Sequence, residues 1–237
     1  MEIGFLAERR ETILFAAAFI IVSAVLPAVA QPAYQPDPEN TAVLGTAVEK
    51  LAGAIPIKNN FVRKPRFLAK LKTGQVWSDS ELQLDTDGWP GGKGNTDPSW
   101  QPDTSWGYKG GKAINANSVP YFVLPQGGWE NKFNIRIGDY AAVIYKGKLA
   151  YAVFADRGDK DKLGEGSIQL LRQLGEERIT NDGKIINKGM GPGVITIIFP
   201  QSGAKARFAD EAALLADMKD KAEKAFIALG GNPSAGK

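Results

Sequence analysis

Two acidic residues in one short stretch, VFADRGDKDKLGEGSIQLL, have the types and spacing for proton-transfer chemistry: Asp156 and Glu165. Asp156 ends an apolar run, LAYAVFAD, where a buried element opens toward solvent. Glu165 stands between Gly164 and Gly166, and such small neighbours let another chain or a ligand come close. Hydrolysis of a glycosidic bond uses this kind of pair. One acid protonates the leaving oxygen, and the other activates water or attacks carbon. Spacing alone favours a blander reading, a solvated loop with Glu165 as a favourable charge at a helix N-terminus.

What is missing raises the standing of the pair. The 237-residue chain has no His and no Cys. That removes Ser–His triads, thiol nucleophiles and the usual zinc sites. The 26 acidic residues are then the groups left for proton transfer near neutral pH. A net charge of +3 without a long Lys/Arg run gives no case for nucleic acid. No cofactor is expected.

Two more stretches carry candidate ligands. In LQLDTDGWPGGKGNTDP, Asp85 and Asp87 open a Gly-rich loop. A calcium loop of the EF-hand kind needs Gly at position six and Glu at twelve. Gly88 falls at four and Thr96 at twelve, so no metal is expected. An Asx-turn and an acidic wall facing a cationic ligand both stay open. In WGYKGGKAINANSVPYFVLP, Trp106 and Tyr121 are candidates to stack on sugar faces, and Asn115 and Asn117 to bond hydroxyl or amino groups. Aromatics just before a strand are more often core.

These residues need a frame. Segments 66–71, 75–84, 119–124, 139–146, 148–155 and 193–199 read as strands. In AAVIYKGKLAYAVFAD, two apolar runs joined by Lys146-Gly147-Lys148 form a hairpin. A helix is expected at 41–54, another at 167–174 before Gly175, and an amphipathic one at 208–229. On the last, Leu214, Met218, Ala222, Phe226 and Leu229 share one face, with Gly230 as C-cap. The fold class expected is mainly β and barrel-like, with a few helices and one catalytic domain. Residues 1–30 read as a signal peptide ending at Ala28-Val29-Ala30, with a membrane anchor as rival. Residues 31–60 read as a linker and short helix, 61–203 as the catalytic region, and 204–237 as the amphipathic helix and tail.

Taken in order, the motifs resemble the fungal-type chitosanases, glycoside hydrolase family 75. LQLDTDG resembles the family's Asp-rich stretch, AINANSVPYFVLP its D-A-N…P-Y-V-V element, and YAAVIYKGKLAYAVFADRG its paired strands. VFADRG, GEGSIQLL and GVITIIFP are similar to its later elements. Thr86 replaces a Cys of the fungal pattern, and Ala155 replaces a Gly. The signal peptide implies a secreted or periplasmic protein without lasting membrane association, and a monomer is expected. The resemblance implies endo-hydrolysis of chitosan, the β-1,4 glucosamine polymer, with inversion. It also suggests a double-psi-like barrel. The family's two catalytic carboxylates map onto Asp156 and Glu165, with Asp85, Asp87, Asn115, Asn117, Tyr121 and Trp106 as substrate-binding candidates. Glu165 is the favoured general acid and Asp156 the base, but a helix N-terminus at Glu165 would pull the other way, so the roles stay open. Two rivals remain: a hydrolase of another cell-wall glycan such as peptidoglycan, and a non-catalytic glycan-binding module.

Overall fold

The computed structural model describes residues 34–92, 97–203 and 206–236. The expected leader, residues 1–30, lies outside the described residues. Among the described residues no helix is long and apolar enough to cross a membrane.

The strands are β1 (Ile55–Pro56), β2 (Phe67–Lys70), β3 (Val76–Asp85), β4 (Tyr121–Pro125), β5 (Tyr140–Tyr145), β6 (Lys148–Gly158), β7 (Glu165–Ser167) and β8 (Met190–Phe199). The longer helices are α1 (Pro38–Leu44), α2 (Ala47–Ala52), α3 (Ile168–Gln173) and α4 (Glu211–Leu229). Hydrogen bonding runs in the order β3-β7-β4-β6-β5-β8 and returns from β8 to β3, which closes a six-strand barrel. β3·β7 and β4·β6 are parallel pairs, and β4·β7, β5·β6, β5·β8 and β3·β8 are antiparallel. The expected mainly-β, barrel-like class with a few helices is what the chain adopts.

Period-two side chains explain the closure. On β8, Val194 and Ile198 join the main core, while Ile195, Ile197 and Phe199 join a second core. On β5, Ala141 and Val143 take the first side, and Ala142 and Ile144 the second. Both faces of these strands are covered, so they read as continuous apolar runs. β5 turns into β6 through Lys146 (φ 46°) and Gly147 (φ 75°). Two positive φ values in a two-residue loop match the right-handed twist of the paired strands.

The helices follow local signals. Asp210 Oδ1 accepts from Ala213 N at 2.9 Å and starts α4, and Gly230 at φ 110° ends it. Leu214, Met218 and Ala222 enter the main core, while Phe226 and Leu229 enter the second. The single helix expected at 41–54 is instead α1 and α2, parted at Gly45, whose φ is 53°. Ser167 caps α3 by accepting from Leu170 N at 3.1 Å.

Candidate active site

β6, β4 and β7 lie side by side, and Val123 of β4 registers with Asp156 on one side and Glu165 on the other. Laterally paired residues face the same side of a sheet, and two strand spacings put their Cα atoms roughly 10 Å apart. Gln83 continues the row on β3, and Asp85 lies on the same face two residues further along. The β4·β6 register slips between Phe122 and Val123, so Ala155 and Asp156 together oppose Val123. A bulge of this kind re-aims one side chain without ending the strand.

Asp156 is buried, and three donors meet on its Oδ1: Ser105 N at 2.8 Å, Ser105 Oγ at 2.5 Å and Arg157 N at 2.8 Å. The Arg157 side chain does not pair with it; its Nε donates to the buried Glu130 at 2.9 Å. Glu165 is half-buried. Burial raises its carboxyl affinity for a proton, offset by Lys162 and reinforced by Asp159. A Cβ at Gly158 would overlap Glu165 Oε2, so the glycine leaves the room in which this carboxylate lies. Glu165 belongs to β7 rather than to a helix terminus: α3 begins at Ile168, after the Ser167 cap.

The two residues line one cavity of about 220 Å³ with Asp85, Asp87, Asp97 and Asp159, against two basic side chains, Arg157 and Lys162. Asp85 Oδ1 accepts from Asp87 N at 2.9 Å, which is the Asx-turn leaving β3. Asp87 Oδ1 accepts from Gln101 N at 2.6 Å. Burial, then the neighbouring acids Asp156 and Asp97, push Asp87 up to about 7 despite the Gln101 bond. Burial and Asp87 push Asp85 well above the usual carboxylate range. Asp85, Asp87 and Asp156 each place one oxygen within 4.8 Å of the others. That spacing suits either shared protons or a cation.

The other expected binding residues are placed differently. Tyr121 is fully buried. Its hydroxyl donates to the Asp87 carbonyl at 3.0 Å and supports the site from beneath. Trp106 is 6% exposed and meets Phe208 edge-on, with ring centroids 6.4 Å apart. Neither ring offers a free face for stacking. Asn115 Oδ1 accepts from Asn117 N at 3.0 Å in the turn before β4, and Asn117 accepts from Arg172 through both O and Oδ1. These two asparagines brace α3 and do not line the acidic cavity. Thr86, where the fungal pattern has Cys, is buried and donates to Asp97 Oδ2 at 2.5 Å, so it holds the far wall.

Sequence reasoning missed Ser105 and Gln101. Each reaches its carboxylate from a distant point in the chain, Ser105 across 51 residues and Gln101 across 14. No periodicity marks either of them.

The chain is similar to known proteins. Endo-chitosanase C of Aspergillus oryzae is 37% identical over 97 residues, 39% of this chain and 24% of that protein. The chain thus matches about a quarter of that relative's length. The family model for fungal chitosanases of glycosyl hydrolase group 75 matches residues 82–232, which includes the acidic cavity and all of α4. With more than half of its length matched, the chain belongs to the fungal chitosanase family of glycosyl hydrolase group 75.

Proposed function

We propose that the protein is an exported, endo-acting hydrolase that cleaves β-1,4 glucosamine linkages of chitosan with inversion, Glu165 serving as general acid and Asp156 as general base. The observation that carries this reading is the shared register of Asp156 and Glu165 against Val123, in a cavity where acids outnumber bases. Inverting hydrolases keep their carboxyl groups about 6.5–9.5 Å apart, with room for water. Two strand spacings, about 9.5 Å between Cα atoms, lie at the upper edge of that range. Acidic walls also favour a polycation over a neutral glycan.

The roles follow from the surroundings. Glu165 binds its proton more tightly because it is buried, which suits a donor. Asp156 Oδ1 accepts three hydrogen bonds, which fix the orientation of the carboxylate toward the cavity it lines. Glu165 protonates the glycosidic oxygen as the C1–O bond breaks, and the bonding pair leaves with that oxygen. Water attacks C1 from the opposite side and loses a proton to Asp156. Asp87, about half protonated at pH 7, stands beside Asp156 without adding a second full charge.

Asp156→Asn and Glu165→Gln are each expected to lower the release of reducing ends from soluble chitosan by about 10²- to 10⁴-fold, with unchanged circular dichroism. Near-wild-type release by either variant overturns the assignment. Inversion is checked by proton NMR of the first product, which should be the α anomer. Export is checked by N-terminal sequencing of the protein outside the cell, expected to begin at Gln31.

A further inference from the structure

The loop between Asp156 and Glu165 carries an ion pair of its own into the acidic cavity. Asp159 to Lys162 is one turn, closed by Lys162 N donating to Asp159 O at 3.1 Å. Lys162 Nζ lies 2.5 Å from Asp159 Oδ2. The turn itself is held in place: Val62 N donates to Asp161 O at 2.9 Å, and Leu163 is buried. Both members of the pair line the cavity with Asp156 and Glu165. After burial, they are the strongest influences on the proton affinity of Glu165, Lys162 lowering it and Asp159 raising it.

The two basic side chains of this cavity are bound in different ways. Arg157 is committed to Glu130, which is 3% exposed. Lys162 is 40% exposed, and it pairs with a carboxylate on the cavity wall that is 57% exposed. An ion pair that open to water is held weakly. A lysine carries its compact charge on a flexible four-carbon stem, so the ammonium can leave Asp159 while the turn stays where it is. The ammonium of a glucosamine unit has the same charge and the same three donors.

We propose that Lys162 is a built-in stand-in for the substrate's amino group: it occupies Asp159 in the free enzyme and is exchanged for a glucosamine ammonium when the polymer binds. Asp159 is then a substrate-binding residue, and Lys162 sets how much the cavity gains from a cationic sugar. Charge balances in the exchange, because one ammonium replaces another on one carboxylate while Lys162 turns to water. A neutral sugar has nothing to exchange and leaves the pair closed. This inference rests on the chitosan-hydrolase reading above.

The test is a double-mutant cycle on Asp159 and Lys162 in the full chain. It is read by kinetics on fully deacetylated chitosan, and by calorimetry with the glucosamine tetramer in a Glu165→Gln background. Lys162→Met frees Asp159, and should lower KM and the tetramer Kd about two- to fivefold at low salt, moving KM more than kcat. Asp159→Asn should raise both constants. The gain from Lys162→Met should be clearly smaller when Asp159→Asn is already present, because the competition runs through that carboxylate. Lys160→Met removes the same charge from an exposed neighbour that lines a different cavity, and should stay near wild type. Equal gains from Lys162→Met with and without Asp159→Asn, no gain at all, or the same gain from Lys160→Met overturn the exchange while leaving chitosan hydrolysis intact. If chitosan is not cut by the unaltered chain, the failure belongs to the function reading, and the calorimetric cycle still decides the exchange. Absence of tetramer binding there overturns it too.

Discussion

Asp156 is held by donors rather than by a cation. Other buried acids of the chain show how this differs from a structural role. Asp139 is 1% exposed and accepts backbone N–H groups from Arg136, Gln201 and Gly203 through both of its oxygens. Its acceptor positions are taken up by the fold, whereas Asp156 lines a cavity. Ser105 supplies two of the three bonds to Asp156, so Ser105→Ala removes one charge-assisted bond and keeps the backbone one. Such a bond contributes about 1.5 kcal/mol, so kcat should fall about tenfold, with KM nearly unchanged in steady-state kinetics. Asp87 gives a prediction on stability. Its carboxyl shifts from 3.8 to about 7 on folding, chiefly through burial. Between those values the folded protein binds more protons than the unfolded chain, so stability falls as pH rises. Asp85 and Glu165, also raised by burial, act with the same sign. The melting temperature should decline across that window, and Asp87→Asn should flatten the decline in a calorimetric pH series. Asp156 and Glu165, which share one cavity, stood out in the sequence because His and Cys are missing and an ordered set of motifs surrounds them. Their hydrogen-bond donors did not, since a serine in a loop looks like any other until the chain folds.

At the scale of elements, two glycines flank the loop between Asp156 and Glu165 and do different work. Gly158 ends β6 with Glu165 lying over it, and an added Cβ would overlap Glu165 Oε2 and sit 3.1 Å from Val123 Cγ1. Its φ is ordinary for an L residue, so Gly158→Ala should fold and shift the acid. A displacement of about 1 Å costs on the order of 10² in rate. The expected result is a large loss of chitosan hydrolysis at a near-native melting temperature. Gly164 has φ +88°, and a Cβ there would strike the Glu81 carbonyl. Gly164→Ala should therefore lower stability, by about 1–3 kcal/mol for the backbone strain alone. Thermal melts of the two variants separate the roles. The β5–β6 hairpin was readable because two apolar runs and a turn signal coincide over 16 residues. β7 was not. It has three residues, Glu165–Ser167, and its ladder to β3 reaches back to Gln83, Leu84 and Asp85. A strand that short carries no period, and its partner lies about eighty positions earlier. Glu165 therefore read as a helix-terminal charge, although the barrel presents it from a strand.

On the whole molecule, the barrel brings β3, β6 and β7 to one rim, and residues from all three line the acidic cavity. A second core on the outer side of the barrel stabilises this arrangement without touching the cavity. It joins Val43, Leu44 and Leu51 of α1 and α2 to Trp77, Ile195, Ile197 and Phe199 of the strands, with Phe226 and Leu229 of α4. Phe226 is fully buried there, and a Cβ on Gly231 would overlap its ring. Little slack remains for the site to collapse if the ring is removed. Phe226→Ala deletes a buried aromatic and leaves a cavity, a change that costs about 3–5 kcal/mol. For a chain of this size, each kcal/mol lowers the midpoint by about 2–4 °C, so a drop of roughly 10 °C is expected in a calorimetric melt. Phe226 belongs to the second core, whereas the floor of the site is built from Val123 and Tyr121 of the main one. Activity per folded molecule at 25 °C should therefore stay near wild type. A proportional loss of kcat at that temperature, with the protein still folded, would mean that the outer core sets the geometry of the two carboxylates. In that case α4 would be part of the catalytic machinery and not only of its support.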